Sequence, residues 1–348
     1  MKDIINKLYN DKILSRDEFI FLLDNMNDEN SKYLFELSRK RREEYYKKDI
    51  YIRGLIEFTN YCKNDCYYCG IRCSNKNTMR YRLSKEDILL CAKEGYKLGF
   101  RTFVLQGGED PYFTDERMVE IISTLREKYN DCAITLSIGE KSYESYKKYF
   151  DAGANRYLLR HETANEEHYM KLHPSNLSLE NRKKCLFYLK KIGYQVGSGI
   201  MVGSPYQTSE NLADDLLFLK ELNPHMVGIG PFIAHKDTPF KDKNNGSFKM
   251  TLYLLGIIRL MLPHVLLPAT TALATIDKQG REKGILAGAN VVMPNLSPKE
   301  VRNKYMLYDG KANTGDEAAE SLEHLRKSMK KIGYTVVVDR GDSILLDN

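Results

Sequence analysis

A regular alternation of short apolar runs and longer amphipathic segments starts near residue 50 and constrains the fold more than any other feature of the sequence. Eight runs have the length and composition of buried strands: 54–58, 102–105, 133–137, 156–159, 195–199, 226–229, 265–268 and 290–293. The segments between them have apolar residues at helical spacing: 84–98, 114–129, 142–151, 179–192, 209–222, 250–262 and 278–286. Eight strands alternating with helices over about 250 residues predict an α/β fold of the (β/α)8, TIM-barrel type.

An open, doubly wound sheet is the alternative, because it has the same alternation of strands and helices. Polar or small residues follow nearly every predicted strand, at its C-terminal end. A closed barrel builds its active site from all of these ends, whereas an open sheet concentrates such residues at one switch point. The pattern therefore favours the closed barrel.

The regions on either side of the barrel have a helical pattern. We predict an N-terminal helical extension at 1–49, the barrel at 50–296, and a C-terminal helical extension at 297–348 that closes the barrel. A last apolar run at 334–338 predicts one additional strand. No shift in composition indicates a second domain.

The charge balance argues against a nucleic-acid partner. The 348 residues include 53 Lys and Arg against 47 Asp and Glu, and the excess of +6 is spread along the chain. The densest basic run, 39–48, contains Glu43 and Glu44 and is typical of a solvated helix face. No apolar run has membrane-spanning length, and the N-terminus has no secretory pattern, so we expect a soluble cytoplasmic protein with no membrane partner.

The cysteines carry the strongest chemical signal. They are Cys62, Cys66, Cys69, Cys73, Cys91, Cys132 and Cys185. The first three form a C-x3-C-x2-C motif directly after the first predicted strand, and such clustering indicates metal or redox chemistry rather than a disulfide framework. Zinc is one alternative, although it needs a further ligand from a distance, and a fully ligated iron–sulfur site with Cys73 as fourth ligand is another. A 4Fe–4S cluster held by three cysteines leaves one iron open to an exogenous ligand, which at a strand end predicts catalysis.

The segment 62–69, with Tyr68 directly before the third cysteine, resembles the signature of the radical S-adenosylmethionine (SAM) superfamily. The resemblance implies a barrel of the radical SAM class and two cofactors, a 4Fe–4S cluster and SAM. In that family the open iron binds the amino and carboxylate groups of SAM. One electron then cleaves a carbon–sulfur bond and releases methionine and a 5′-deoxyadenosyl radical.

Further segments resemble the SAM-binding elements of the superfamily. Gly107, Gly108 and Glu109 resemble the segment that binds the SAM amino group, and Arg182 resembles the partner of its carboxylate. Ser137 and Glu162 resemble residues that contact the methionine and ribose parts. The run 199–203, which includes Met201, resembles the segment that packs against adenine. Carried over by this resemblance, the predicted cofactor-binding residues are Tyr68, Gly107, Gly108, Glu109, Ser137, Glu162, Arg182 and Met201.

A narrower resemblance covers roughly residues 50 to 310. The segments 106–112, 157–164, 226–233, 268–272 and 288–295, followed by Tyr305 and Tyr308, resemble the HydE family of FeFe-hydrogenase maturases. The family groups with biotin synthase and methylornithine synthase. The resemblance implies action on a cysteine-ligated iron carbonyl cyanide precursor, with the maturases HydG and HydF and a low-potential electron donor as partners.

The predicted substrate residues lie on the inward side of the barrel or at its mouth. They are Gln106, Thr135, Arg156, Arg160, Met226, Thr270, Thr271, Tyr305 and Tyr308. Arg156 and Arg160 would place positive charge inside the barrel, suited to a carboxylate or an anionic iron complex. Pairing with an acidic residue below the site is the alternative role for one of these two arginines.

Other functions stay open at this point. A methylornithine synthase-like mutase acting on lysine would use similar polar groups, and a non-enzymatic iron–sulfur protein would use the cysteines alone. No cysteine follows Cys185, so we predict no second cluster in the C-terminal part. Sulfur insertion as in biotin synthase is disfavoured, because Cys91 and Cys185 fall within predicted helices and Thr270 and Thr271 lie at a predicted strand end.

Overall fold

Eight parallel strand segments close into a barrel in the computed structural model, which describes residues 1–312 and 319–346. We call these eight barrel strands the staves. The strands are β1 (Asp49–Ile52), β2 (Gly54–Thr59), β3 (Thr102–Gly107), β4 (Ala133–Ser137), β5 (Arg156–Leu158), β6 (Gln195–Ser198), β7 (Met201–Val202), β8 (Met226–Val227), β9 (Gly230–Pro231), β10 (Val291–Val292) and β11 (Thr335–Val337). Six of them form the parallel order β2-β3-β4-β5-β6-β8. Single bridges continue the order from Met226 to Leu266, from Pro268 to Val291, and from Asn295 back to Leu55. The predicted closed barrel is confirmed, and the open sheet is wrong.

Register sets the height of each side chain inside the barrel. Glu57 lies opposite Gln106, and Gln106 lies opposite Ser137, so these three residues share a layer at the C-terminal ends of the staves. Leu55, Val104 and Thr135 form the inward-facing layer below them. The upper layer is therefore the one that meets the loops where a barrel builds its site.

The helices surround the barrel and begin where polar side chains cap them. They are α1 (Lys2–Asp11), α2 (Arg16–Asp24), α3 (Asp28–Tyr46), α4 (Lys85–Lys97), α5 (Asp115–Lys128), α6 (Tyr143–Asp151), α7 (Glu166–Leu172), α8 (Leu179–Ile192), α9 (Ser209–Leu222), α10 (Phe248–Met261), α11 (Thr271–Ile276), α12 (Gly280–Leu286), α13 (Lys299–Arg302) and α14 (Leu322–Lys331), with 3-10 turns at Ala319–Ser321 and Ile344–Leu346. The Ser84 side chain accepts from the Asp87 amide, and the Asp87 carboxylate accepts from the Ser84 amide, so α4 begins with a capping box. All seven predicted helices are present within two residues of their predicted ends. Helices α7 and α11 are additional.

The N-terminal helices cover one side of the barrel. Helix α3 packs along α10, and every residue of α10 from Thr251 to Met261 is buried. Leu34 of α3 lies against Gly256, where a Cβ atom would come 3.0 Å from the leucine side chain. Ser38 also donates to the Ala287 carbonyl at 2.8 Å. In the described residues, no helix combines the length and the apolar composition that crossing a bilayer requires.

Residues near the C-terminus meet the base of the barrel. Strand β11 pairs in parallel with β1, as predicted for an additional strand, and β1 pairs with β10. Beyond β11 the chain turns inward, and Asp342 accepts hydrogen bonds from Arg156 and Gln195, each at 2.7 Å. The C-terminal part of the chain therefore supplies polar groups to the N-terminal ends of the staves.

Residues 304–312, called the strap below, cross the opposite end of the barrel. Leu307 accepts a hydrogen bond from the Gly70 amide at 2.8 Å, and the Asp309 amide donates to the Ala234 carbonyl at 3.1 Å. The Ala312 amide donates to the hydroxyl of Thr275 at 3.3 Å. The strap thus connects the cysteine loop, the loop after β9 and helix α11.

Candidate active site

A cavity of about 370 Å³ lies at the C-terminal ends of the staves, beneath the strap. Its volume is in the range of small-molecule sites. The cysteine loop that follows β2 lines the cavity, and so do the strap and the start of α11. We call the part lined by the cysteine loop the cysteine end and the part lined by the strap and α11 the strap end; the Gly70–Leu307 hydrogen bond joins the two.

Cys62, Cys66 and Cys69 all line the cysteine end of the cavity. The loop folds back on itself, because the Cys69 amide donates to the Cys66 carbonyl at 3.3 Å and Arg72 forms a paired contact with Asp65. Burial raises the pKa of all three thiols, and burial together with Cys62 raises the pKa of Cys69 to about 12. Metal binding would therefore have to displace protons from these thiols. Cys73 is exposed and does not line the cavity.

Gly107 and Gly108 let the end of β3 approach the cysteine loop closely. A Cβ atom on Gly108 would come 2.1 Å from the Tyr61 carbonyl oxygen and 2.7 Å from the Cys62 side chain. Glu109 follows directly and lines the cavity, where its Oε1 accepts the Glu140 amide at 3.0 Å. Lys63 of the cysteine loop lies 3.3 Å from Oε2 of the same carboxylate.

Two ion pairs involve arginines that line the cavity, Arg160 and Arg182. Arg182 Nε lies 2.8 Å from Glu140 Oε1, and although burial alone would lower the pKa of Arg182, Glu140 holds it above its ordinary value. Arg160 Nη2 lies 2.9 Å from Glu162 Oε2. The contacted nitrogens and oxygens of both pairs are buried and lack a well-directed hydrogen bond within the described part of the chain. Such atoms suit a polar ligand.

The Tyr68 hydroxyl has a defined role as the donor in its hydrogen bond to His173. Because the Tyr169 carbonyl can only accept, His173 Nδ1 is the donor in their 3.1 Å contact. Burial lowers the pKa of His173 to about 3, so the ring is neutral and carries one proton, on Nδ1. Its Nε2 is then the acceptor for the Tyr68 hydroxyl, also at 3.1 Å. Among the described residues no donor contacts the Tyr68 oxygen, so its lone pairs are available to a ligand in the cavity that this residue lines.

Most of the predicted site residues meet in this one cavity. At the cysteine end are Cys62, Cys66, Cys69, Tyr68, Gly107, Gly108, Glu109, Ser137, Glu162, Arg182 and Met201, and toward the strap end are Gln106, Arg160, Thr270, Thr271, Tyr305 and Tyr308. The Thr270 hydroxyl has no hydrogen-bond partner among the described residues. Thr270 and Thr271 lie at the start of helix α11 rather than at the end of a strand, which corrects the predicted local structure.

Three of the predicted substrate residues lie outside the cavity. Thr135 and Met226 are buried below it, and Met226 accepts a contact from the guanidinium of Arg53. Arg156 bonds to Asp342 and to Thr102 at the base of the barrel, which is the structural pairing considered as its alternative role. Each of the three lies on the inward side of the barrel, but none of them lines the cavity.

Glu57 and Lys311 line the cavity and were not among the predicted residues. Glu57 is a charged residue inside an otherwise apolar run, 54–58, and that exception was the available signal. Lys311 lies in the strap, where no periodic pattern indicates which residues turn inward. Asn295, which bonds to Glu57, was also missed.

The family model of the radical SAM superfamily matches residues 56–254, which is more than half of the chain. The chain belongs to the radical SAM superfamily. It is therefore an enzyme of the class that uses a 4Fe–4S cluster and SAM, and the zinc and non-enzymatic alternatives are wrong.

Relatives within the radical SAM superfamily resemble almost the whole chain. The chain is 45% identical over 300 residues to the FeFe-hydrogenase maturase subunit HydE of Thermotoga maritima, covering 86% of this chain and 85% of that protein. It is 30% identical over 321 residues to 3-methylornithine synthase of Methanosarcina acetivorans, covering 92% and 88%. The crystal structure of methylornithine synthase PylB superposes with a TM-score of 0.83 at 27% identity, covering 96% of this chain and 97% of that one.

The residues of the cavity fit both radical SAM cofactors. Three cysteine thiols at the end of one stave are the donor set that a cluster with one open iron needs. Gly108 provides close backbone approach, and Arg160, Glu162 and Arg182 provide buried polar atoms without well-directed partners in the described residues. The cavity thus has both the ligands and the polar groups that a cluster and a zwitterionic sulfonium compound require.

Proposed function

We propose that this radical SAM enzyme is a HydE-type maturase. It acts in the cytoplasm on a cysteine-ligated iron carbonyl cyanide precursor during assembly of the FeFe-hydrogenase active site, with HydG, HydF and a low-potential electron donor as partners. The observation that carries the proposal is the lining of the strap end, where Arg160, Thr270 and Thr271 face the same cavity as the three cysteines. The 45% identity to HydE of Thermotoga maritima supports it.

The protein's part in the mechanism is to bind, orient and enclose. When bound, the cluster and SAM supply a one-electron cleavage of the sulfonium carbon–sulfur bond, which gives a 5′-deoxyadenosyl radical. Cys62, Cys66 and Cys69 would hold the cluster. The Arg182 guanidinium matches the geometry of the SAM carboxylate, and Glu162 accepts from vicinal hydroxyls. The Tyr68 oxygen, whose proton is used by His173, accepts from an amino group such as that of adenine.

The strap end orients the precursor. Arg160 offers a planar cation to its cysteine carboxylate or to an anionic iron complex. The Thr270 hydroxyl, which has no partner within the described part of the chain, donates a hydrogen bond to the same group. The strap lies over the mouth of the barrel, and exclusion of water protects a reactive radical from side reactions.

Complementation combined with anaerobic biochemistry tests the proposal. We expect the gene to restore hydrogenase activity in a strain that lacks HydE, and the purified protein to show reductive SAM cleavage together with conversion of the precursor. Cys66→Ser should abolish all three, and Cys73→Ser, at the exposed cysteine outside the cavity, should abolish none. Reductive SAM cleavage without complementation and without conversion of the precursor would contradict the maturase assignment and leave the superfamily membership intact.

A methylornithine synthase-like mutase is the second candidate. It is favoured by the 30% identity over 92% of the chain and by the TM-score of 0.83 to PylB. Incubation with lysine, SAM and a reductant, followed by mass spectrometry, decides between the two. Formation of 3-methylornithine would replace the maturase proposal.

A further inference from the structure

The strap forms one wall of the cavity although it belongs to none of the eight staves. Tyr305, Leu307, Tyr308 and Lys311 all line the cavity from the strap. The shape of the strap end therefore depends on where the strap is held. Its backbone hydrogen bonds connect it to neighbouring loops, and they do not explain what holds it against the barrel interior.

A buried ion pair joins the strap to the first barrel stave, β2. The Lys311 ammonium contacts Oε1 of Glu57, and Oε2 of the same carboxylate accepts from Asn295 Nδ2 at 2.9 Å. The Glu57 side chain is fully buried and that of Lys311 is 6% exposed. Removing one partner of a buried pair leaves an uncompensated charge away from water, so the pair favours one seated position of the strap.

The same ammonium also fixes Tyr305. Lys311 Nζ donates to the Tyr305 carbonyl at 3.0 Å and lies 4.8 Å from the centre of its ring. The Tyr305 hydroxyl accepts from Gln106 Nε2 at 3.4 Å, and burial raises the pKa of Tyr305 above its ordinary value. Glu57, Lys311 and Tyr305 are thus one connected unit at the strap end.

We propose that Glu57 and Lys311 are positioning residues for the precursor, holding the strap so that Tyr305 and Tyr308 form the wall against which the precursor is bound. This inference rests on the proposed function. Neither residue needs to touch the precursor, because the pair acts through the location of the strap. Displacement of a binding wall by about 1 Å is enough to weaken a positioned complex severely.

Charge offers a way to separate this role from a purely electrostatic one. Glu57→Gln raises the net charge of the strap end by one, and Lys311→Met lowers it by one. If the pair only balanced charge around an anionic precursor, the two variants would move KM in opposite directions. If the pair holds the strap, both variants raise KM.

The experiment measures KM and kcat for the isolated cysteine-ligated iron carbonyl cyanide complex, and hydrogen–deuterium exchange of the strap, residues 304–312, in the cluster-free protein. For Glu57→Gln and for Lys311→Met we expect KM to rise about tenfold, more than kcat changes, with faster exchange in the strap. The double variant removes both charges, so its thermal midpoint should recover toward the wild-type value while KM and strap exchange stay raised. The double variant also keeps the test decisive if one of the single variants fails to fold.

Several results would overturn the inference. They are KM changes of opposite sign, unchanged KM with unchanged exchange, and a double variant whose KM returns to the wild-type value together with its stability. Glu94→Gln, at the exposed Glu94–Lys97 pair of α4, is the matched control and should alter none of these quantities. A wild-type protein that does not convert the complex refutes the proposed function and this inference with it. Conversion by the wild type together with normal variants refutes this inference alone.

Discussion

The backbone of Glu162 has a φ of 66°, a left-handed conformation that side chains other than glycine rarely adopt. A buried network on the outer side of the barrel wall supports it. The Ser198 hydroxyl donates to the Leu159 carbonyl, so its oxygen accepts from His161 Nδ1 at 2.9 Å. On the other side, Asp215 of α9 accepts the Ala164 amide. Residues on both sides of Glu162 are therefore held, and its carboxylate is directed into the cavity.

Asp215→Ala tests this support. The change leaves the Ala164 amide without its acceptor, so we expect a loss of about 1–3 kcal/mol in the free energy of unfolding and weaker SAM binding. Asp215→Asn keeps an acceptor oxygen and should lose less of both. Urea denaturation of the cluster-free protein and the SAM-induced change in the spectrum of the reduced cluster measure the two effects. Equal behaviour of the two variants would show that the acceptor is not what matters.

At the scale of single elements, the segment that follows β11 determines how the base of the barrel responds to acid. Burial alone would raise the pKa of Asp342, but Arg156 and Gln195 lower it to about 2. A carboxyl whose pKa is lower in the folded than in the unfolded state adds stability above its unfolded value near 4, and that stability is lost as the pH falls from about 4 to about 2.

We expect Asp342→Asn to be less stable than the wild type at neutral pH by about 1 kcal/mol, a figure reduced for solvent screening because the side chain is one third exposed. The difference should shrink below pH 4 and vanish only below pH 2. Chemical denaturation across this pH range measures it. Asp28→Asn, at an exposed pair with Lys249, is the control and should leave the denaturation midpoint unchanged. A constant difference at every pH would contradict the assignment to Arg156.

The staves show which parts of the fold and site were predictable. Alternation of apolar runs located them, because a buried parallel strand needs side chains of low polarity on both faces. Thr135, Arg156 and Met226 were predicted as substrate residues on the inward side of the barrel or at its mouth, and none of them lines the cavity. Which inward side chains border the cavity depends on the stagger between neighbouring strands and on the partners that each side chain finds, and the sequence pattern carries no information about either. Strand β1 and helix α7 are too short for their apolar residues to show a strand or helix period in the sequence.

The cavity likewise contains residues that the sequence predicts and residues that it does not. The cysteines and glycines were predictable because their chemistry depends on local spacing. Glu57 and Lys311 lie far apart in the sequence, and only the closed barrel brings them together. Their contact follows from the path of the strap, for which the sequence has no periodic signal.

At the scale of the whole molecule, the N-terminal helices and the barrel share one hydrophobic core. Side chains of α1, α2 and α3 belong to the same buried cluster as those of the staves and of α10. Helix α10 is buried on every side because α3, together with α1, packs against it. We therefore expect helices and barrel to unfold together.

Leu34→Ala tests this coupling. Leu34 is fully buried between α3 and Gly256, so its truncation should cost about 2–5 kcal/mol and lower the midpoint of the whole protein in one cooperative transition. Phe21→Ala, at a side chain that is 48% exposed, is the control and should cost far less. Circular dichroism and hydrogen exchange measure the transition. An early, separate loss of the N-terminal helices would show that they form an independent unit.

The pairing of β1 with β11, together with the strap, has a consequence for biosynthesis. Translation delivers the strap, and the segment after β11 that fills the base, after all eight staves have been made. A nascent chain still attached to the ribosome thus has thiols that face solvent through an incomplete wall. A cluster bound to such a chain would lie open to solvent, so we expect stable cluster loading only after release, when the strap completes the wall of the reaction chamber.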